Sequence, residues 1–206
     1  QTVEAFLNSL SHVKPLSIGL NCSLGAKDMR PHIETLAAKA PFYISAHPNA
    51  GMPNQFGEYD ETPEVMAPQI KEFLDHSSVN IIGGCCGTTP AHIREFARMA
   101  KLASPHVCTH HQHETRLSGL EPLAISKASN FVNIGERCNV AGSRKFARLI
   151  SQEKYEEALA IARDQVEGGA QVIDVNMDDA MLDAKREMVR FLNLIMSEPD
   201  ISRLPI

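Results

Sequence analysis

The sequence lacks a long apolar segment, a surplus of basic residues and a secretory leader. No apolar run in its 206 residues approaches the roughly 18–20 needed to span a bilayer, which argues against a membrane protein. The net charge of −5 and the pI of about 6.0 give no electrostatic case for binding nucleic acid or an anionic membrane. The opening QTVEAFLNSL has no signal-peptide features and predicts the middle of a helix. Since an initiator methionine is also missing, we expect a fragment of a longer, cytoplasmic protein.

Cysteine is scarce, and its odd count of five with no secretory leader argues against a disulfide framework. Clustered cysteines in a reducing compartment are more often metal ligands or catalytic thiols. The hydrophobic content of 43% and the charged content of 22% are those of a globular protein. Cys108 and Cys138 lie away from the other cysteines, and we interpret them as ordinary thiols.

Short apolar runs alternate with amphipathic segments along the chain. Thr62 fits a helix N-cap with Pro63 in the first turn, and a second Thr-Pro start follows at 89–90. Such an alternation predicts an α/β fold made of parallel βαβ units. The predicted strands span 15–22, 42–49, 79–86, 131–139 and 170–178, and the predicted helices span 27–40, 62–77, 88–103, 151–169 and 184–197.

Residues 104–130 interrupt the alternation. This segment has two prolines, many polar residues and little periodicity, so we interpret it as a linker or an extended crossover. About three βα units precede it, in residues 1–103, and about two follow it, in residues 131–206. An eight-fold βα barrel needs roughly 250 residues. The fold expected is therefore two consecutive (β/α)8 TIM-type barrels, each only partly present.

Three cysteines lie at the ends of predicted strands. Cys22 ends the first strand, and Cys85 and Cys86 end the third, within GGCCGTTP (83–90). Strand ends line one face of a βα barrel, so these thiols point toward one mouth although 63 residues (85 − 22) separate them. Three thiolates suit zinc, and three protein ligands leave a fourth position open, as in catalytic zinc sites. Inert buried thiols or a strained disulfide between the adjacent pair are the alternatives.

Glycines flank the adjacent cysteines, at Gly83, Gly84 and Gly87. Their freedom would let the backbone bend so that consecutive side chains reach one ion. His47, in AHPNAG, could line the same mouth or could be a hydrogen-bonded loop histidine. Residues 48–63 form a long loop on this face, which we interpret as a lid or a wall of a substrate site.

Three segments in the first half carry a resemblance to a known family. GLNC at a strand end, then YISAHPNAGMPN, then GGCCGTTPAHI resemble the C-terminal part of the homocysteine S-methyltransferase domain. The resemblance implies that Cys22, Cys85 and Cys86 bind zinc and that the homocysteine sulfur becomes the fourth ligand. A metal-bound thiol loses its proton near neutral pH, which gives a thiolate nucleophile.

Two segments of the second half carry another resemblance. FVNIGERCNVAGSRKF and GGAQVIDVNMDDAMLD resemble the start of a pterin-binding barrel that holds 5-methyltetrahydrofolate. A homocysteine domain joined by a linker to a folate domain resembles the arrangement in cobalamin-dependent methionine synthases. That family passes a methyl group from 5-methyltetrahydrofolate to cobalamin, and from methylcobalamin to homocysteine. The chain has no Asp-x-His-x-x-Gly motif for a cobalamin ligand, so methylcobalamin is expected on a domain outside it.

The second resemblance implies a folate site at the ends of two strands. A Gly-Ser-Arg turn offers backbone N–H groups, a hydroxyl and a guanidinium to a polar, anionic ligand. Asp174 could instead organise the top of the barrel, and Glu136 and Arg137 could form an internal ion pair. The implied folate contacts are Asn139, Gly142, Ser143, Arg144, Asp174 and Asn176.

Three other functions stay open at this point. The chain could belong to a zinc-dependent homocysteine methyltransferase with another donor, such as betaine or S-methylmethionine. It could also be a non-catalytic docking fragment or carry structural zinc only.

We interpret the histidine-rich HVCTHHQH (106–113) as a solvated linker rather than a metal site. The three carboxylates of DDAMLD (178–183) are interpreted as charges that complement a helix dipole.

Overall fold

The structure is a computed structural model that describes residues 1–108 and 114–206. Over these ranges the chain is a mixed α/β protein with parallel sheets. It divides into two compact units: the first unit comprises described residues 10–108, and the second unit comprises Gln1–Ser9 together with described residues 114–206. Every helix in these ranges is too short or too polar to cross a lipid bilayer.

Strands and helices alternate over most of the chain. The first half contains α1 (Val3–Leu10), β1 (Ser17–Gly25), α2 (Ala26–Lys39), β2 (Tyr43–Asn49), α3 (Pro63–Asp75), β3 (Ile81–Ile82) and α4 (Pro90–Ala100). The second half contains β4 (Thr115–Ser118), β5 (Pro122–Ile125), β6 (Ile134–Asn139), α5 (Arg144–Ser151), α6 (Tyr155–Glu167), β7 (Val172–Asn176), α7 (Ala184–Met196) and α8 (Pro199–Ser202).

A parallel sheet in the order β1-β2-β3 forms the centre of the first unit. β1 and β2 stay in register up to Asn21, and the register then shifts before Gly25. β3 is only two residues long, but the N–H of Cys85 donates to the carbonyl of Pro48 (2.9 Å) and continues the contact with β2. Because the strands are parallel, their carboxyl ends meet at one edge of the sheet, and the cysteines of this unit lie there.

Helices α2, α3 and α4 contribute the apolar core of the first unit. The predicted helix starts are confirmed, since Thr62 is the N-cap of α3 and Thr89 is the N-cap of α4, each followed by proline. Burial of each large apolar side chain stabilises the fold by about 1.5–3 kcal/mol. The fully buried members include Met29, Ile33, Leu36, Ile44, Met66, Ile70, Phe73 and Phe96.

The parallel pair β6–β7 forms the centre of the second unit. Its register shifts between Gly135 and Cys138, where the side chain of Gln165 inserts and accepts the N–H of Arg137 (2.7 Å). The rings of Phe146 and Phe191 pack edge to face, with centroids 5.2 Å apart, in the core between the helices. This second core is separate from that of the first unit.

A hairpin, β4–β5, lies inside the segment interpreted as a linker, and the sequence pattern does not predict it. Helix α1 packs on it through hydrogen bonds from the N–H of Thr2 to Leu120 O (2.8 Å) and from Asn8 Nδ2 to Leu117 O (3.2 Å). The N–H of Leu120 also donates to the carbonyl of Ser202 in α8 (2.9 Å). Part of residues 104–130 is therefore ordered structure of the second unit.

The predicted helix over 151–169 is wrong at its start. Ser151 ends α5, which was not predicted, and α6 begins only at Tyr155. Glu153 lies between them with a φ of 55°, and a left-handed residue cannot continue a right-handed helix. The predicted strand over 79–86 is reduced to Ile81–Ile82, so Cys85 and Cys86 follow this strand instead of ending it. The remaining predicted helices and strands are present with shifts of a few residues. Over the described residues the sheets have at most three parallel strands, so the two barrels stay a prediction.

Candidate functional site

Cys22 lies on an unusual piece of backbone at the end of β1. It and Ser23 have φ values of 61° and 63°, in the left-handed region that residues other than glycine rarely adopt. Both lie within the register shift between Asn21 and Gly25. A left-handed conformation costs a residue with a side chain roughly 1–2 kcal/mol. Because strain of this kind concentrates at functional sites, this part of β1 is a candidate functional site.

Cys85 and Cys86 lie in the turn between β3 and α4, and the end of β2 holds this turn in place. The N–H of Cys85 donates to the carbonyl of Pro48 (2.9 Å). The N–H of Cys86 donates to Oδ1 of Asn49 (3.2 Å). The N–H of Ala50 donates in return to the carbonyl of Cys86 (2.8 Å). The two adjacent thiols are thus fixed through their backbone rather than through their side chains.

The three glycines around these cysteines serve two different purposes. Gly87 has a φ of 78° and provides the left-handed backbone that the turn requires. A Cβ on Gly83 would lie 2.4 Å from the ring of His47, and one on Gly84 would lie 2.4 Å from Cγ2 of Thr88. These two glycines are therefore needed for space. His47 is half-buried on β2, with its ring packed against Gly83.

The sulfur atoms of Cys22, Cys85 and Cys86, here called the cysteine triad, converge. Sγ of Cys22 lies 3.6 Å from Sγ of Cys86, and all three sulfur atoms lie within 4.8 Å of one another. Tetrahedral zinc with bonds of about 2.3 Å to sulfur places its ligands about 3.8 Å apart. The triad thus fits a metal ion and is the only such group among residues 1–108 and 114–206. All three thiols are free and half-buried, which suits a site with an open position.

The thiols of the triad influence one another's protonation. Hydrogen bonds to the sulfur of Cys22 lower the pKa of its thiol. The largest effect comes from the N–H of Ser23, and smaller effects come from the thiols of Cys86 and Cys85. The pKa of Cys86 is raised, chiefly by its hydrogen bond with Cys22. One thiolate is therefore favoured in the metal-free triad, and a second negative charge beside it is opposed. A divalent cation would remove that opposition, because its charge favours every thiolate that binds it.

Two residues that the sequence pattern does not single out border the triad. Asn49 is 1% exposed, and its amide hydrogen-bonds to Cys22 as well as accepting the N–H of Cys86. Tyr59, in the loop 48–63, hydrogen-bonds through its hydroxyl to Cys86; burial and then this bond raise the pKa of Tyr59. Asn49 could have been found from its place at the end of β2, whereas Tyr59 reaches the site only through the loop's conformation.

Asn139 and Asn176 end the two parallel strands of the second unit and form a register pair. Oδ1 of Asn139 accepts the N–H groups of Ala141 (2.8 Å) and Gly142 (2.9 Å). Oδ1 of Asn176 accepts the N–H of Asp178 (2.6 Å). Both amides therefore shape the loops that follow their strands, which is a structural role in addition to the predicted contact with folate.

Ser143 precedes Arg144, the first residue of α5, and caps this helix. Its Oγ accepts the N–H of Phe146 (3.3 Å), so the hydroxyl predicted to bind a ligand already stabilises the helix start. Asp183 caps α7 in the same way, because its Oδ1 accepts the N–H of Arg186 (3.1 Å). The helix-end role predicted for DDAMLD is thus present at Asp183.

Asp174 and Asn176 line a common hollow of about 400 Å³ beside the start of α7. Asp174 is exposed on β7. Asn139, Gly142, Ser143 and Arg144 lie outside the lining of this hollow. Glu136 and Arg137 form an ion pair at 3.2 Å, but both side chains are mostly exposed, so the pair is not internal.

Two protein-family models match the chain. Residues 1–100 match the model described as homocysteine S-methyltransferase, and residues 135–206 match the model described as pterin binding enzyme. The two matches follow one another along the chain and do not overlap. The cysteine triad lies in the first match, and the paired strand ends of β6 and β7 lie in the second. Together the matches support a methyltransferase whose reaction involves homocysteine and a folate.

Cys108, Cys138 and His106 lie outside the triad. Cys138 is fully buried beside Gln165, whose Nε2 donates to the sulfur (3.3 Å), and burial raises the pKa of Cys138 to about 11. Such a thiol is unreactive, as expected for an ordinary cysteine. Cys108 is half-buried. The ring of His106 hydrogen-bonds to a backbone carbonyl (3.1 Å), and residues 109–113 lie outside the described residues.

Proposed function

We propose that this chain contributes to methyl transfer from 5-methyltetrahydrofolate, through cobalamin, to zinc-activated homocysteine, with methionine and tetrahydrofolate as products. The observation that carries the proposal is the convergence of three free thiols within 4.8 Å at one edge of a parallel sheet. The order of the two family matches supports it, and the pterin match favours folate over betaine or S-methylmethionine as the donor. The arrangement is that of cobalamin-dependent methionine synthases.

On this proposal, residues 1–103 and 131–206 contribute to two (β/α)8 barrels that residues 104–130 connect. The cobalamin-binding domain lies outside this chain. Because the triad needs reduced thiols, we place the reaction in the cytoplasm.

Cys22, Cys85 and Cys86 would hold the zinc ion, and the sulfur of homocysteine would take the open position. When bound, zinc supplies a positive charge that lowers the pKa of the homocysteine thiol and so yields a thiolate near neutral pH. The chain's own residues prepare the site. Ser23 donates its N–H to the sulfur of Cys22, and Asn49 fixes the turn of Cys86. These contacts favour negative charge on the sulfur of Cys22 and hold the backbone of Cys86 in place.

The folate would bind at the carboxyl ends of β6 and β7. Asp174 and Asn176 offer a carboxylate and an amide to the polar edge of the pterin ring, within the hollow beside α7. Arg144 offers a guanidinium to the carboxylates of the glutamate tail. Asn139, Gly142 and Ser143 would act through the loop that they shape at the start of α5.

Zinc stoichiometry and X-ray absorption at the zinc edge test this proposal in the full-length protein. We expect one zinc ion with three sulfur ligands, rising to four when homocysteine is added. Cys85→Ser should lower the number of sulfur ligands measured before homocysteine is added. Cys108→Ser changes a half-buried cysteine outside the triad and should leave that number unchanged. A sulfur count that homocysteine does not change, with unfolding on chelation, would establish structural zinc instead.

A further inference from the structure

His92, in the first turn of α4, is a buried histidine whose two ring nitrogens both have partners. It is 3% exposed. Its Nδ1 lies 3.1 Å from the backbone N of Thr89 and 2.9 Å from the hydroxyl of the same residue. A backbone N–H can only donate, so Nδ1 accepts and the ring proton lies on Nε2. Nε2 therefore donates to the carbonyl of Glu61, 2.9 Å away.

This bond joins α4 to the loop 48–63 at the point where the loop returns from the triad. The N–H of Glu61 donates to the carbonyl of Ala50 (3.3 Å), and the N–H of Ala50 donates to the carbonyl of Cys86 (2.8 Å). The carboxylate of Glu61 also accepts from Nε2 of Gln69 in α3 (3.2 Å). His92 thus closes a continuous set of hydrogen bonds that begins at one thiol-bearing residue.

The outer part of the same loop is held by contacts within the loop. The N–H of Asn54 donates to the carbonyl of Glu58 (2.8 Å), and Oδ1 of Asn54 accepts the N–H of Phe56 (2.9 Å). The outer part of the loop is therefore braced internally, and the contacts at its two ends place it relative to the triad. Tyr59 extends from this part of the loop to the triad and packs closely against Gly87. A Cβ added to Gly87 would lie 2.3 Å from the Cβ of Tyr59.

We propose that His92 is a positioning residue that latches the loop 48–63 against the cysteine triad and thereby makes Tyr59 the wall beside the open ligand position. This inference rests on the proposed function, since it assigns the loop to the thiol amino acid that the triad would activate. The N–H groups of Cys85 and Cys86 bond to Pro48 and Asn49 at the end of β2, and Cys22 lies on β1, so the sulfur atoms are held by contacts other than the latch. Loss of His92 should therefore impair thiol binding and leave metal binding intact.

The test uses the full-length protein loaded with Co²⁺ in place of zinc, because thiolate-to-cobalt charge-transfer bands report the number of sulfur ligands. His92→Leu should bind one Co²⁺ with the wild-type spectrum before substrate is added. The homocysteine concentration that gives half of the spectral change should rise about tenfold, the factor for loss of roughly one net hydrogen bond. His92→Gln keeps an acceptor and a donor on one planar group and should restore most of the affinity. His32→Leu, at an exposed histidine of α2, is the matched control and should change nothing.

A double-mutant cycle separates positioning from general stability. If the latch acts through Tyr59, then His92→Leu should have little further effect in a Tyr59→Ala background, so the two losses should not add. Additive losses, or an unchanged half-saturation in His92→Leu with Co²⁺ bound, would overturn the inference. If His92→Leu does not fold, His92→Asn takes its place in the same cycle, because its shorter amide can still accept the N–H of Thr89 but does not reach the carbonyl of Glu61. A wild-type spectrum that does not respond to homocysteine would refute the proposed function itself, which is a different result.

Discussion

The buried thiol of Cys138 should make the stability of the second unit depend on pH in a way that a single substitution isolates. Burial raises its pKa from the ordinary 9.0 to about 11 in the folded protein. A raised pKa means that the contribution to stability is fully present below pH 9 and is lost as the pH rises toward 11. At about 1.4 kcal/mol per pH unit, the full loss is on the order of 3 kcal/mol. Cys138→Ala removes this contribution together with its pH dependence.

The measurement is urea unfolding followed by circular dichroism at several pH values from about 8 to about 11.5, on both proteins. At low pH the alanine variant should be less stable, because it loses the packing of the sulfur against Gln165. As the pH rises, the free energy of unfolding of the wild type should fall relative to that of the variant by about 3 kcal/mol. Tyrosine and lysine titrations occur in both proteins and cancel. A difference that stays constant with pH, or that Cys108→Ala reproduces, would refute the assignment to Cys138.

Three further predictions concern the strained backbone, a buried carboxylate and the triad. Ser23→Gly should stabilise the fold by up to about 1 kcal/mol in urea unfolding, because glycine adopts the left-handed backbone without strain, whereas Ser23→Val should destabilise it by about 1 kcal/mol or more. Tyr155→Phe removes the hydroxyl that donates to Glu187 (2.6 Å), a side chain only 6% exposed, and should cost about 1.5–3 kcal/mol, with Tyr43→Phe as the exposed control. Cys85→Ser in the full-length enzyme should weaken zinc binding and abolish methyl transfer to homocysteine while sparing transfer from 5-methyltetrahydrofolate to cobalamin; loss of both half-reactions would contradict separate sites.

Local patterns in the sequence were sufficient for the features that depend on near neighbours. The Thr-Pro starts of α3 and α4 follow from capping and from the fixed φ of proline, and both are present. The convergence of Cys22 with Cys86 followed from one topological rule, that the ends of parallel strands meet at one edge. The rule needs only the alternation of strands and helices, which is why a separation of 63 residues (85 − 22) did not obscure the cluster.

Features that depend on distant contacts could not be predicted in this way. The hairpin β4–β5 has strands of only four residues, and its stabilising partners are α1 at one end of the sequence and α8 at the other. Because residues 114–125 include neither partner, their sequence pattern alone could not indicate that the hairpin is stable. The left-handed backbone at Glu153 could not be predicted from the sequence either, because a Gln-Glu-Lys stretch is equally compatible with a continuous helix.

The strain at the end of β1 has a geometric reason that the alternation of side chains makes clear. If β1 continued as a regular strand, Cys22 would point to the same face as Ile18, because side chains two residues apart share a face. Ile18 is buried in the core at 5% exposure. The left-handed pair at Cys22 and Ser23 interrupts the alternation where the register of β1 shifts, and the sulfur lies instead 3.6 Å from that of Cys86. The left-handed backbone therefore coincides with the position of Cys22 in the triad, and Ser23→Gly, which keeps that backbone without strain, should leave the triad in place.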